Sequence, residues 1–167
     1  MTEVRILPAG EPTIGQVAFV TRDLDAALAR WVDLGVGPWN IFTFDDRRMS
    51  SMSYRGEPAV FSADIALCSS GPMTYEVIQP LSGPSIWEDF LGLRGEGLHH
   101  VGYYVDDIGG AIAAMTSRGY AMVQSGSGFG VDGDGAFAYF DAIEAVGCYL
   151  EAILGPTALA PPERHFP

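Results

Sequence analysis

A chain of 167 residues, 48% hydrophobic and 18% charged, fits one domain or two small modules sharing a core. Nine basic and 21 acidic residues leave a net charge of −12, and every basic residue is arginine. That balance excludes nucleic acid and anionic membrane as expected partners, and the missing lysine excludes lysine Schiff-base chemistry. No apolar run approaches the ~20 residues of a membrane span. The opening MTEVRILPAGEPT has no apolar core for a secretory signal. Two cysteines, Cys68 and Cys148, make no disulfide framework and read as packing residues. The expected location is the cytoplasm.

In chain order, residues 14–20 read as a strand. Asp23 follows as a helix N-cap, then an Ala-rich helical stretch, then Gly35 as its stop. Strand-like runs come at 39–44, 50–54, 60–67 and 73–79. Residues 80–84 form a Pro/Gly-rich linker, 85–91 a short helix and 95–97 a Gly-rich return. A strand at 98–104 leads to Asp107, a second Ala-rich helix and Gly119, and then to strands at 120–124, 136–141 and 147–154. The glycine-rich stretch 125–135 lacks the context of a dinucleotide loop and the ligands of a calcium loop. It reads as a long hairpin connection and a candidate lid. The tail, 156–167, reads as an extended arm, with disorder the alternative. Trp31, Trp39 and Trp87 read as core, Trp39 with a cavity-rim position as alternative.

The second half repeats the first at an offset of 84 residues. Gln16 maps onto His100, Asp23 onto Asp107, Leu24 onto Ile108, Ala27 onto Ala111, Leu28 onto Ile112 and Gly35 onto Gly119. Cap, apolar face and stop signal stay in register, so each half reads as βαβββ. The expected organisation is a first module at 13–80, a linker with a short helix at 81–97, a second module at 98–155 and a tail at 156–167. Each module has one apolar face to bury, which predicts an α+β fold: paired curved sheets forming a half-open barrel around a small-molecule cavity.

Strand alternation then selects polar residues for that cavity. Glu76 and Glu151 interrupt the final apolar strand of each module, and Gln16 and His100 hold matched positions on the first strands. Taken singly, each has a bland reading: a surface or paired glutamate, a core histidine, an uninformative glutamine. Taken together, two carboxylates, an imidazole and an amide oxygen make a divalent-metal site, because a dication relieves the repulsion between buried carboxylates. His99, next to His100, is expected on the opposite face in a packing role. Arg47-Arg48 reads as a solvated pair or a contact for an anionic substrate. Glu57 and Asp64 are weak candidates for a separate base.

The segments Gln16-Val17-Ala18-Phe19-Val20, Tyr75-Glu76-Val77-Ile78-Gln79-Pro80, Gly97-Leu98-His99-His100-Val101 and Tyr149-Leu150-Glu151 resemble the vicinal oxygen chelate superfamily. Its members include glyoxalase I, methylmalonyl-CoA epimerase, extradiol dioxygenases and bleomycin-resistance proteins. The resemblance spans about residues 13–155. It implies one divalent ion (Zn, Ni, Co, Mn or Fe(II)) on Gln16, Glu76, His100 and Glu151. It also implies proton abstraction alpha to a carbonyl by Glu151 or, secondarily, Glu76, with an enediolate or enolate stabilised by the metal. A small-molecule carbonyl substrate and a homodimer are implied as well. The ligand set resembles the glyoxalase I branch, while the linker texture resembles the epimerase branch. Extradiol dioxygenases and fosfomycin-type transferases need a second histidine ligand that the chain does not offer. The alternative is a metal-free protein that binds or sequesters a small molecule.

Overall fold

The computed structural model describes residues 13–167; residues 1–12, which carry most of the segment inspected for a secretory signal, lie outside it. The first half runs β1 (Ile14–Val20), α1 (Leu24–Asp33), β2 (Trp39–Phe44), β3 (Ser51–Tyr54), β4 (Glu57–Pro58), β5 (Ser62–Ser70) and β6 (Met73–Ser82). After α2 (Ile86–Arg94) come β7 (Gly97–Tyr104), α3 (Ile108–Ser117), β8 (Met122–Phe129), β9 (Gly135–Phe140), α4 (Ile143–Val146), β10 (Tyr149–Leu154) and β11 (Arg164–Phe166).

Both repeated helices start as their sequences dictate. The Asp23 carboxylate accepts from the Ala26 amide and the Asp107 carboxylate from the Gly110 amide, each three residues on. Each helix stops at a glycine with positive φ, +85° at Gly35 and +90° at Gly119. Ser85 caps α2 in the same way, through Glu88 N–H.

The strands make an α+β fold with one open, mixed sheet, in the order β11-β2-β5-β6-β1-β7-β10-β9-β8-β3-β4. The expected pair of sheets is therefore continuous. β1 and β7, the first strands of the two halves, pair antiparallel and form a seam through the middle. Each seam strand is flanked by the last strand of its own half in parallel, β6 beside β1 and β10 beside β7. One hairpin leaves its half: β3 pairs with β8, so the first half reaches across to the far edge of the second.

Alternation divides the core by face. On the inner face, Val20, Ile65, Ile78, Phe137 and Tyr149 pack against Ile86, Trp87, Phe90 and Leu91 of α2. On the outer face, Leu24, Ala27 and Leu28 of α1 cover Trp39, Ile41, Ala66 and Val77, while Ala111 and Met115 of α3 cover Tyr103, Ala138, Phe140 and Leu150. Trp39 is fully buried beneath α1, not at a cavity rim. Cys68 and Cys148 are buried free thiols, and burial pushes both up in pKa.

One expectation is corrected. Residues 125–129 are not part of a lid loop: they continue β8, which pairs with β9 and with β3. Glycine at 126 and 128 is what permits this. A Cβ at Gly126 would sit 2.6 Å from the Phe137 ring, and one at Gly128 2.2 Å from Ser50 Oγ. The tail is ordered and extended, ending in β11 against β2.

Candidate metal centre

The four central strands, β6-β1-β7-β10, bring Gln16, Glu76, His100 and Glu151 onto the inner face at the seam. The register explains the convergence: Ala18 lies opposite both Glu76 and His100, while Gly102 lies opposite both Gln16 and Glu151. Gly102 sits in the middle of the group. A Cβ there would meet Ile153 Cδ1 at 2.7 Å and Gln16 Cβ at 3.0 Å, so only glycine lets these side chains close over the strand.

All four side chains are buried. His100 Nε2 lies 3.2 Å from Glu76 Oε2 and 3.0 Å from Glu151 Oε2. The Gln16 amide nitrogen donates to the same two oxygens at 3.1 and 3.0 Å and stands 3.4 Å from His100 Nε2. One potential ligand atom from each of Glu76, His100 and Glu151 falls within 4.8 Å of the others. Donors about 2.1 Å from a shared ion stand about 3.0 Å apart at right angles and about 3.4 Å apart at the tetrahedral angle. The observed separations span that range, and half a turn of the Gln16 amide presents its oxygen. The donor set therefore fits a divalent cation.

Electrostatics point the same way. Burial raises the Glu76 carboxyl above its ordinary value and the nearby Glu151 charge adds to this, while His100 partly offsets both. Burial alone would lower His100, but the charges and hydrogen bonds of Glu151 and Glu76 outweigh it and hold the imidazole at about 9. Without an ion, a proton on His100 balances the carboxylates; an ion would take over that role.

His99 corrects an expectation: it does not face away from His100. The seam register slips between Ala18 and Phe19, which face His100 and Leu98, so His99 is the extra residue of a β-bulge. It therefore packs on the same side as His100, among Phe90, Tyr139 and Tyr149. Its Nδ1 is 2.9 Å from His100 Nδ1, and its Nε2 is 3.4 Å from the Ile86 carbonyl. Burial, reinforced by the His100 charge, keeps His99 neutral. The Ile86 carbonyl only accepts, so the His99 proton belongs on Nε2. Its Nδ1 then accepts from His100, leaving His100 Nε2 to face the site.

Sequence reasoning passes over Tyr139. It lies opposite Glu151 on β9, is buried, and its ring centroid is 4.9 Å from that of His100. Burial and the charges of Glu151 and Glu76 drive its hydroxyl well above the usual value, so it stays neutral beside Glu151. The alternation Ala136-Phe137-Ala138-Tyr139, read against a hairpin to Glu151, carries that signal. Glu57 is exposed on β4, and Asp64 accepts the Thr43 hydroxyl at 2.7 Å; neither borders the group.

Above the four polar groups lies a cavity of about 270 Å³, bordered by Gln16, Glu76, Tyr139 and Glu151 at one end and otherwise mainly by apolar side chains. Gly155, Pro156 and Leu159 of the tail line it from above. An adjoining pocket of about 470 Å³ shares Phe44, Phe129 and Leu159 with it and holds Arg47 and Arg48.

Residues 15–140 match the family described as the Glyoxalase/Bleomycin resistance protein/Dioxygenase superfamily, and the chain belongs to that superfamily. No curated protein sequence matches it significantly. Among solved structures it is similar to a hypothetical protein from Bacillus halodurans C-125 (TM-score 0.64, 19% identity, 87% of this chain and 96% of that one). It is also similar to methylmalonyl-CoA epimerase from Mycobacterium tuberculosis (TM-score 0.61, 20% identity, 96% and 94% covered). A third likeness is to a Streptomyces coelicolor methylmalonyl-CoA epimerase in complex with 2-nitronate-propionyl-CoA (TM-score 0.62, 14% identity, 90% and 99% covered). At these identities the likeness is one of fold.

Proposed function

We propose that the protein is an isomerase or epimerase, or a lyase of the glyoxalase type, that removes a proton from carbon next to a carbonyl. The observation that carries this reading is the convergence of Gln16, Glu76, His100 and Glu151 at one end of a largely apolar cavity. In it, these four residues hold one divalent ion, of a kind (Zn, Ni, Co, Mn or Fe(II)) set by availability. The ion supplies positive charge where negative charge develops on the substrate oxygens. The Glu151 carboxylate takes the proton, forming a new O–H bond as the C–H electron pair moves toward the carbonyl oxygen; Glu76 is the second candidate base. Tyr139, opposite Glu151 on β9, presents a neutral hydroxyl to the same end of the cavity, and the apolar walls limit water there. The epimerase neighbours support the reaction type. The same reading takes 13–80 and 98–155 as duplicated modules joined by 81–97, with 156–167 as a tail, and the chain as a homodimer in the cytoplasm.

Metal analysis of protein purified without chelator tests the ion: about one per chain, with a lower melting temperature after chelation, is expected. Exchange of the alpha proton in deuterated water tests the chemistry. Glu151→Gln is expected to lower that exchange about 10²–10⁴-fold at an unchanged far-UV spectrum; exchange at the parent rate would overturn the assignment.

A second reading has its own support. As they stand, the Gln16 amide and His100 satisfy both carboxylates without an ion. A metal-free binding protein with the same cavity is the alternative, and ligand binding unaffected by chelation would favour it.

A further inference from the structure

The cavity and its mouth also speak to the kind of substrate, and the following rests on the isomerase reading above. Apart from Gln16, Glu76, Tyr104, Tyr139 and Glu151, the walls are apolar, formed chiefly by Phe44, Leu67, Trp87, Phe129, Phe137 and Ile153, and among the described residues no arginine lines them. The chain has no lysine. A dication on Glu76 and Glu151 brings that end of the cavity to a formal charge of zero. An anionic group therefore finds no surplus counter-charge inside, and burying an unpaired anion is costly.

The mouth offers no net positive charge either. Arg47 and Arg48 lie in the adjoining pocket, but Arg47 is held by Asp45 through Nε at 2.8 Å and Arg48 pairs with Glu163. Asp132 lines the same pocket, and with the paired Asp45 and Glu163 it makes three carboxylates about the two guanidinium groups. Phosphates on a long acyl carrier would meet arginines that are already paired, on a chain of net charge −12.

Size narrows the class further. An apolar cavity of about 150 Å³ takes a benzene. The 270 Å³ here takes one ring or branched alkyl group with a short oxygenated arm. We infer that the substrate is a compact, uncharged aryl or branched-alkyl carbonyl compound with an adjacent oxygen, rather than an acyl-CoA thioester or another anionic carrier conjugate. The apolar group occupies the aromatic end of the cavity, and the two oxygens point to the four polar side chains.

The test compares two probes on the metal-loaded protein, 2-hydroxyacetophenone and methylmalonyl-CoA. Calorimetry reads binding, and deuterium uptake at the alpha carbon reads proton transfer. The hydroxyketone is expected to bind about tenfold or more tightly than the thioester and to exchange its proton faster with the protein than with Glu151→Gln. Thioester binding that equals or exceeds ketone binding overturns the inference, as does a ketone that fails to bind at millimolar concentration. Ketone binding without exchange of either probe upholds the substrate class and defeats the isomerase reading. Exchange of both probes with the thioester preferred does the reverse.

Discussion

His99 shows how a residue outside the candidate ligand set controls it. Its unprotonated Nδ1 fixes which nitrogen of His100 faces the carboxylates. His99→Phe keeps an aromatic ring among Phe90, Tyr139 and Tyr149 but removes that acceptor. Metal affinity is expected to fall about 10–100-fold, read by competition with a chromophoric chelator, with the fold retained. Gly102 acts by its missing side chain. Gly102→Val would push against Ile153 and Gln16, and an overpacking cost of about 1–3 kcal/mol is expected in denaturant unfolding. At this scale the sequence was partly legible. Gln16, Glu76, His100 and Glu151 could be paired because the 84-residue offset matches the first strands and the glutamates interrupt the last ones. The side of His99 could not, because a bulge breaks strict alternation and is set by the partner strand. Tyr139 needs knowledge of which strand lies beside β10.

Among the elements, local signals travelled well from sequence to structure. The Asp–helix–Gly pattern appears twice with the expected caps, because capping depends on residues three apart. Asp107→Ala is expected to cost about 1 kcal/mol in thermal or urea unfolding while leaving metal content unchanged, since α3 packs on the outer face away from the polar cluster. Non-local pairing was illegible. The Gly-rich run at 125–129 looks like a loop when read alone. It is strand because β3, some 70 residues earlier, pairs with it, and glycine leaves room there for Phe137 of β9 and for Ser50 just ahead of β3. The merging of two expected sheets into one has the same origin: it depends on β1 meeting β7 edge to edge, which neither strand's own pattern specifies.

For the whole molecule, the candidate site ties folding to protons and, under the proposed function, to a metal ion. His100 is held at about 9 in the folded chain, against 6.5 as its ordinary value. Metal-free protein thus gains stability from this proton below about pH 6.5 and loses it as pH rises through about 9. Glu76, also raised, has the same sign. An ion requires a neutral imidazole, so its affinity rises over the same interval. Melting temperatures of chelator-treated protein are expected to decline between pH 6.5 and 9, and loading with Zn or Mn to reverse the decline; parallel curves with and without metal would contradict the site.

The tail closes the cavity from a different part of the chain. It leaves β10, carries Pro156 and Leu159 over the cavity, is fastened by Thr157 to Asp134 and by Ala158 to Val131, and reaches β2 through β11. The four polar side chains stand on the central strands, whereas Pro156 and Leu159 above them belong to a segment outside the sheet. Substitutions at those two positions would therefore reshape the upper wall of the cavity while the polar cluster beneath keeps its place.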